Sequence, residues 1–251
     1  MPKRSTTYEL YYWPGIQGRG EFVRLALEDA GARYVDVARE PGGMRALERL
    51  LKAADKTASA QPFAPPFLRS GKLLIAQTAA ILHYLGPRLG LSPATEAGSL
   101  AALQYQLTLS DWIAEAHDVH HPIGVSLYYE DQKPEALRRS QDFRAQRIPK
   151  FLGYFERVLS GGAKRASYLT GARCSYADLS LFQVVEGLRY AFPKAFASAA
   201  RKAPRVLAHH DRIAGRPSLA AYLASPRRLP FNQQGIFRHY PELDGAQKRK
   251  A

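Results

Sequence analysis

The sequence predicts two domains, an α/β layer with the element order βαβαββα followed by an all-α helical bundle. Within residues 8–89, short alternating or apolar stretches that suit strands are interspersed with segments of helical periodicity. From residue 100 onward, four long segments have helical periodicity and no convincing strand is present. Gly90-Leu91-Ser92-Pro93 separates the two patterns. We therefore expect domains at residues 1–90 and 91–228, followed by an extended tail at 229–251.

The elements of the first domain follow from local patterns. Residues 8–12 alternate, which predicts a half-buried strand with Tyr8, Leu10 and Tyr12 on one face, ended by Pro14-Gly15. The other predicted elements are a helix over 19–30 stopped by Gly31, a strand over 33–37, a helical stretch within 41–60, a hairpin around Ser70-Gly71 and a helix over 77–89.

The second half is predicted to contain helices over 100–117, 134–160, 175–191 and 204–214. Ser175 and Asp178 form a capping-box pattern at the start of the third of these helices. The tail is rich in proline, glycine and charge, which predicts an extended segment that wraps over the surface.

Bulk properties exclude several classes of protein. The one cysteine, Cys174, excludes an internal disulfide framework and a cysteine-rich metal site. No apolar run approaches the roughly eighteen residues of a membrane helix, and the N-terminal residues carry no apolar signal region. We therefore expect a cytoplasmic protein without a membrane partner.

The net charge of +14 raises the question of nucleic-acid binding. The basic residues are spread along the chain, however, with only short clusters at Arg227-Arg228 and Lys248-Arg249-Lys250. No aromatic stacking motif or groove-reading helix accompanies them. The charge therefore predicts attraction of small anions, and no specific nucleic-acid partner is expected.

Three motifs carry a family resemblance. They are Tyr12-Trp13-Pro14 with Gln17-Gly18-Arg19, Ala64-Pro65-Pro66-Phe67-Leu68 with Gly71 and Gln77-Thr78, and Leu169-Thr170-Gly171 with Ser175-Tyr176-Ala177-Asp178. Together they resemble the Tyr-type cytosolic glutathione S-transferase family over residues 8–225. The resemblance implies a thioredoxin-like first domain and glutathione as co-substrate.

The second motif implies the site for the tripeptide. Its proline block resembles the cis-proline loop that exposes backbone to the cysteinyl part of glutathione, with Pro65 and Pro66 as candidates. We favour Pro65, because Ala64 then keeps an N–H that can donate to the ligand. Gln77 and Thr78, at a helix N-terminus, are expected to bind the γ-glutamyl carboxylate and ammonium groups. Arg45, Lys52 and Lys56 remain open as contacts to the glycyl carboxylate.

The first motif implies how the thiol is activated. Tyr12 is expected to donate its hydroxyl hydrogen to the glutathione sulfur, assisted by Arg19 at the helix start. Tyr11 is expected to be a packing residue. No serine or cysteine lies nearby in the sequence, which argues against the cysteine-type members that reduce mixed disulfides.

The electrophile is expected to bind against the helical domain, in contact with Trp112, His117 and Tyr128. His120, His121 and Tyr129 are further candidates. His117 and His121 are four residues apart, but no HExxH pattern or clear third ligand accompanies them, so no metal is predicted. The family resemblance also implies a homodimer in which Asp111 reaches across the interface to the γ-glutamyl ammonium group.

The sequence thus favours an enzyme that conjugates glutathione to small hydrophobic electrophiles. The alternatives are a catalytically weak binding or structural relative, and a glutathione-dependent peroxidase or isomerase that uses the same site.

Overall fold

The computed structural model describes residues 7–52, 61–161 and 167–245. The predicted order of the first domain is confirmed. Its strands are β1 (Tyr8–Tyr11), β2 (Tyr34–Asp36), β3 (Phe67–Ser70) and β4 (Leu73–Ala76), and its helices are α1 (Gly20–Asp29), α2 (Gly43–Lys52) and α3 (Thr78–Leu89). The hairpin turns at Gly71, whose φ of +61° suits glycine.

The four strands form one mixed sheet in the order β2-β1-β3-β4. β1 runs parallel to β2 and antiparallel to β3, and β4 is antiparallel to β3. Tyr8 and Leu10 pack with side chains of α1 and α3, whereas Tyr11 packs with Leu47 of α2 on the other face. Tyr11 and Tyr12 are the two candidates for the catalytic role. Tyr11, the last residue of β1, faces α2, and Tyr12 follows directly after the strand.

The second domain is helical, as predicted. Its helices are α4 (Glu96–Asp118), α5 (Lys133–Asp142), α6 (Ile148–Ser160), α7 (Tyr176–Ala191), α8 (Pro193–Ala200), α9 (Pro204–Ala214) and α10 (Pro217–Leu223). The segment expected as one helix over 134–160 is divided by a π-helical turn at Phe143–Arg147. No helix in the described ranges is both long and apolar enough to span a bilayer.

Helix α7 is the centre of this domain, and most of its residues are buried. The predicted capping box at its start is confirmed: the Ser175 backbone N–H and hydroxyl both donate to Asp178 Oδ2, at 2.8 and 2.6 Å. Asp178 Oδ1 accepts from the Leu169 N–H at 2.7 Å and contacts His209 Nε2 at 2.8 Å. The box thus joins α7 to the preceding loop and to α9.

The tail wraps over the helical domain through residue 245, and its final residues, with the Lys248-Arg249-Lys250 cluster, lie outside the described ranges. Ile236, Phe237 and Leu243 are buried. The Phe237 ring lies directly over Gly187 of α7, where a Cβ would approach the ring to 2.2 Å. Asp244 accepts from the Lys194 and Ala195 N–H groups at 2.8 and 3.0 Å, and so caps the start of α8.

Candidate active site

Tyr12 is fixed between two glycines at the junction of β1 and α1. Its side chain is 4% exposed, and its hydroxyl oxygen accepts from the Arg19 backbone N–H at 2.8 Å. A Cβ on Gly18 would lie 2.1 Å from the Tyr12 hydroxyl oxygen, and one on Gly20 would lie 2.5 Å from its ring. Gly18 also has a φ of +46°. The Gln17-Gly18-Arg19 motif therefore allows the close approach that holds the phenol in place.

Burial raises the pKa of the Tyr12 hydroxyl, while the Arg19 N–H and the charges of Arg19 and Arg24 act in the opposite direction. The phenol is therefore protonated at neutral pH. Its oxygen already accepts from Arg19, so its own hydrogen is the group that can be donated to a ligand.

Tyr11 is engaged elsewhere. Its hydroxyl donates to Glu9 Oε2 at 2.6 Å. Burial, followed by the hydrogen bond to Glu9, raises the pKa of Tyr11 to about 12. Since this hydrogen already has an acceptor and the ring faces α2, Tyr11 is the poorer candidate for a ligand contact.

A buried ionic network supports the Tyr12 loop from beneath. The Arg24 guanidinium is fully buried and contacts Asp36 Oδ2 at 2.6 Å, Gln17 O at 3.2 Å and Glu21 Oε2 at 3.3 Å. It lies 5.8 Å from the centre of the Tyr12 ring. Sequence reasoning missed this network, although Glu21 and Arg24, three residues apart on an apolar helix, were a usable signal.

The same network reaches the helical domain and the tail. Glu21 Oε1 accepts from the Tyr222 hydroxyl at 2.9 Å and from Arg228 Nη1 at 2.7 Å. Gln183 of α7 donates to Gln17 Oε1 at 2.7 Å. The loop that holds Tyr12 is thereby tied to both domains.

The start of α3 supplies the polar end of a cavity. Gln77, the residue before α3, has a φ of +68°, a conformation that non-glycine residues seldom adopt and that often marks functional positions. Thr78 is 9% exposed, and its buried hydroxyl oxygen has no hydrogen-bond partner within the described ranges. Together with the N-terminal N–H groups of α3, these side chains provide donors for an anionic group.

Gln77, Thr78 and Arg19 line one cavity of about 560 Å³ between the two domains. The cavity is otherwise largely apolar, and its remaining lining residues are Phe22, Ala79, Ala80, His83, Leu103, Leu107, Ser110 and Ile113. The predicted anion-binding pair and the predicted catalytic arginine therefore meet at one place, with Tyr12 bonded to the backbone of that arginine.

The preference for Pro65 as the cis residue was wrong. The cis bond joins Pro65 to Pro66, so Pro66 is the cis residue, and β3 begins immediately after it at Phe67. The residue before the cis bond is then Pro65, which has no N–H to donate. Ala64 is exposed one residue further away.

The candidates for the glycyl carboxylate lie apart from this cavity. Arg45 and Lys52 line a separate surface groove on α2, of about 480 Å³, and Lys56 lies outside the described ranges. Asp111 is exposed on α4, next to Ser110 of the cavity wall.

Two of the expected electrophile contacts are not at the cavity. Trp112 is 0% exposed and stacks on Phe151 and Phe155 in the core, with ring centroids 4.9 and 6.3 Å apart. The expectation that Trp112 contacts the electrophile is therefore corrected: it is a core residue. Tyr128 is 78% exposed on the loop before α5 and does not line the cavity, whereas its neighbour Tyr129 is buried against the tail.

His117 is partly buried near the end of α4, in a cluster with His120 and His121. The three ring centroids are 4.9–5.1 Å apart. Burial lowers the pKa of His117, the hydrogen bond to Asp118 acts in the opposite direction, and the charge of Arg19 adds to the effect of burial. No metal-holding group of three or more His, Cys, Asp or Glu side chains is found within the described ranges.

The tail closes over the Tyr12 loop. Asn232 donates to Gly15 O at 2.9 Å, and Gln17 donates to Leu229 O at 2.5 Å. Only about 10 Å³ remains between the tail and Gln17-Gly18. Cys174 is buried elsewhere, and this burial raises the pKa of its thiol, so it is not a reactive thiolate of this site.

The chain is similar to known proteins in sequence and in fold. A family model for the glutathione S-transferase C-terminal domain matches residues 117–226. Glutathione S-transferase P of Bos taurus is 27% identical over 230 residues, which cover 91% of this chain and 98% of the relative. Glutathione S-transferase of Plasmodium falciparum (isolate 3D7) is 24% identical over 222 residues, with 86% and 94% covered.

Among solved structures, the Pi-class glutathione S-transferase of Onchocerca volvulus superimposes with a TM-score of 0.69 at 21% identity, covering 91% of this chain and 98% of that one. The chain therefore shares a thioredoxin-like, two-domain fold with this solved glutathione S-transferase. Its sequence is similar to glutathione S-transferases over most of its length, and these matches together support a cytosolic glutathione S-transferase.

Proposed function

We propose that the protein conjugates the glutathione thiolate to small hydrophobic electrophiles, with glutathione bound in the cavity between α1, α3 and α4. The observation that carries this proposal is the buried, unpartnered hydroxyl of Thr78, which lines the same cavity as Gln77 and Arg19. A buried hydroxyl without a partner is costly in a folded protein, and a ligand carboxylate would accept its hydrogen.

Tyr12 is the proposed activator of the thiol. A free thiol with a pKa of about 8.5 is only about 3% ionised at pH 7. Lowering that pKa by about two units requires about 2.7 kcal/mol. A hydrogen bond from the phenol to the thiolate, worth roughly 1.5–3 kcal/mol, supplies most of it. The Arg19 charge stabilises the same anion.

The electrophile is proposed to approach beside His117, a partly buried residue of α4, because the same helix supplies one wall of the cavity. Tyr128 is proposed to lie at the outer edge of this region, where it is exposed on the surface. Ala64 and Pro65 are proposed to lie beside the cysteinyl backbone of glutathione, where Pro65 can contribute only its carbonyl oxygen as an acceptor.

The wider organisation is proposed as follows. Residues 1–90 form the glutathione-binding domain, residues 91–228 the helical domain and residues 229–251 the tail. The protein is proposed to be a cytoplasmic homodimer in which Asp111 of one protomer reaches the γ-glutamyl ammonium group bound by its partner.

One observation favours the alternative of a weakly catalytic glutathione-binding protein, or of a peroxidase or isomerase with a small second substrate. Asn232 and Leu229 of the tail are hydrogen-bonded to Gly15 and Gln17, so the tail covers the Tyr12 loop on that side. The tail must shift if a large electrophile is to reach the sulfur from that side.

Steady-state conjugation of glutathione to a chlorinated nitroaromatic tests the proposal. We expect turnover by the wild-type protein and a fall in kcat of roughly 10- to 100-fold for Tyr12→Phe, the equivalent of one charge-assisted hydrogen bond. Binding of glutathione without turnover of an aromatic electrophile or a hydroperoxide would favour the binding protein instead.

A further inference from the structure

A second and larger cavity lies in the helical domain. It has a volume of about 970 Å³ and lies between α8 and the stretch from the π-helical turn into α6. It shares no lining residue with the cavity that contains Arg19 and Thr78. Its ligand would therefore be bound independently of the glutathione site.

Four cationic side chains line this groove, namely those of Arg144, Lys194, Arg201 and Lys202. Within the described ranges, none of them forms an ion pair, and the Arg144 Nε atom is buried without a hydrogen-bond partner. Many other arginines of the chain are paired with carboxylates, for example Arg24, Arg147 and Arg216. The positive charges of the groove are therefore not compensated by ion pairs with described residues.

The one carboxylate in the lining does not neutralise these cations. Both oxygens of Asp244 accept from backbone N–H groups at the start of α8. Four cations against one carboxylate leave the groove a net charge of +3. At physiological salt, charges beyond about 8 Å are screened, so this local excess, rather than the net charge of the whole chain, decides what binds here.

The charges are placed at two ends of an apolar floor. Lys194 lies in the first turn of α8, and Arg201 follows its last residue. At about 1.5 Å per residue, the two positions are about 10 Å apart along the helix. The floor between them consists of small or apolar side chains, which are Ala145, Pro149, Leu152, Ala195, Ala199 and Ala203.

We propose that this groove binds an elongated organic dianion with an apolar middle of about 10 Å, such as an α,ω-dicarboxylate. The apolar floor of the groove would bury the methylene chain of the ligand. At each end of the groove, two of the four cationic side chains would bind one carboxylate of the ligand. A compact inorganic anion would leave the floor uncovered, and a neutral lipid would leave the cations unpaired.

Calorimetric titration with decanedioate tests the proposal, with the glutathione cleft saturated by S-hexylglutathione. We expect decanedioate to bind the wild-type protein at least tenfold more tightly than decanoate, which has one carboxylate. The double variant Lys194→Gln with Arg201→Gln should weaken decanedioate binding at least tenfold. A matched control, Lys150→Gln with Arg157→Gln, removes two exposed cations of α6 outside the groove and should leave binding unchanged.

Four results would overturn the proposal. They are no heat on titration of decanedioate into the wild-type protein, binding no tighter than that of decanoate, and equal binding by the groove variant and the control. The fourth is loss of binding only when S-hexylglutathione is present, which would assign the dianion to the inter-domain cleft.

Discussion

Tyr12 owes its position to two glycines and one backbone N–H. Gly18 and Gly20 admit the ring, and the Arg19 N–H fixes the hydroxyl oxygen. Tyr11, one residue earlier, is directed to Glu9 on the opposite face of the sheet. Experiments on single variants can therefore distinguish the role of the Tyr12 hydroxyl from that of the Tyr11 hydroxyl.

Tyr12→Phe should raise the pKa of the glutathione thiol in the complex by about one to two units, because the thiolate loses one charge-assisted hydrogen bond. Affinity for glutathione should change little, since the lost contact is to sulfur alone. The pH titration of ultraviolet thiolate absorbance measures this shift. Tyr11→Phe is the control, and a shift in that variant instead of in Tyr12→Phe would move the catalytic role to Tyr11.

Arg24 is expected to be the residue on which the Tyr12 loop depends most for stability. Arg24→Met should lower the free energy of unfolding by about 3 kcal/mol, because Asp36 and Glu21 lose a buried cation. Urea unfolding measures this, with Arg33→Met, an exposed arginine nearby, as the control. Equal stability of the two variants would show that the network does not support the loop.

Local motifs identified candidate site residues, but they did not predict the structural environment of each one. Gln77 and Thr78 could be found because a helix start and a preceding proline block are both local signals. Trp112 was misassigned because its burial comes from α6, about forty residues away in the sequence. Pro65 was preferred over Pro66 because Ala64 would then keep an N–H for the ligand, but the sequence around two adjacent prolines does not itself show which bond is cis.

The tail packs on α7 where the Phe237 ring lies over Gly187. Gly187→Ala should displace Phe237, since the new Cβ would lie about 2.2 Å from the ring. We expect faster hydrogen exchange over residues 229–245 and a loss of about 1–3 kcal/mol of stability.

Gly153→Ala is the matched control for Gly187→Ala. Gly153 is also a glycine in the interior of a helix. The atom nearest to a new Cβ there would be Nη1 of Arg157, at 3.6 Å. Helix propensity alone predicts that this change is neutral or slightly stabilising. Unchanged exchange of the tail in Gly187→Ala would contradict the contact with Phe237.

His120 joins the end of α4 to the tail. Its Nε2 contacts the Ile236 carbonyl oxygen at 2.8 Å, so this nitrogen carries the proton and the ring is neutral. Burial lowers the pKa of His120 to about 3, and the charges of Arg238, His117 and His121 act in the same direction. Just below about pH 6.5, His120 therefore binds a proton in the unfolded chain but stays neutral in the folded protein.

The stabilisation by neutral His120 should thus be complete above about pH 6.5 and be lost as the pH falls towards 3, by up to about 1.4 kcal/mol per pH unit. His120→Gln keeps a donor for Ile236 but does not titrate, so its unfolding free energy should depend less on pH in this range. Thermal unfolding between pH 4 and pH 7 measures this. His83→Gln, an exposed histidine on α3, should follow the wild type.

Elements with a clear period were predictable from the sequence, and short or irregular ones were not. The order βαβαββα and the long helices follow from apolar spacing. Helices α8 and α10 span only 8 and 7 residues, too few for a period to be recognised. The tail was predicted as a wrap, but its hydrogen bonds to Gly15 and Gln17 join positions more than 200 residues apart.

For the whole molecule, we predict a homodimer at micromolar concentration. Phe63, Leu100 and Leu107 are 90%, 56% and 50% exposed, and Leu107 borders the glutathione cavity. An apolar surface beside the site suits an isologous interface of roughly 1,600 Å² in total. Light scattering should give twice the mass of 27.9 kDa. A single-chain mass would contradict the dimer and leave Asp111 without its proposed role.

Calorimetric titration of glutathione into Thr78→Val measures whether glutathione binds at the start of α3. The Thr78 hydroxyl has no hydrogen-bond partner among the residues that the structure describes, so its removal should not lower stability. Combined with Gln77→Ala, this change should raise the dissociation constant about tenfold or more, while the control Thr108→Val, on the solvent side of α4, should bind as the wild type does. Unchanged affinity in the double variant, or no glutathione binding by the wild-type protein, would contradict the account.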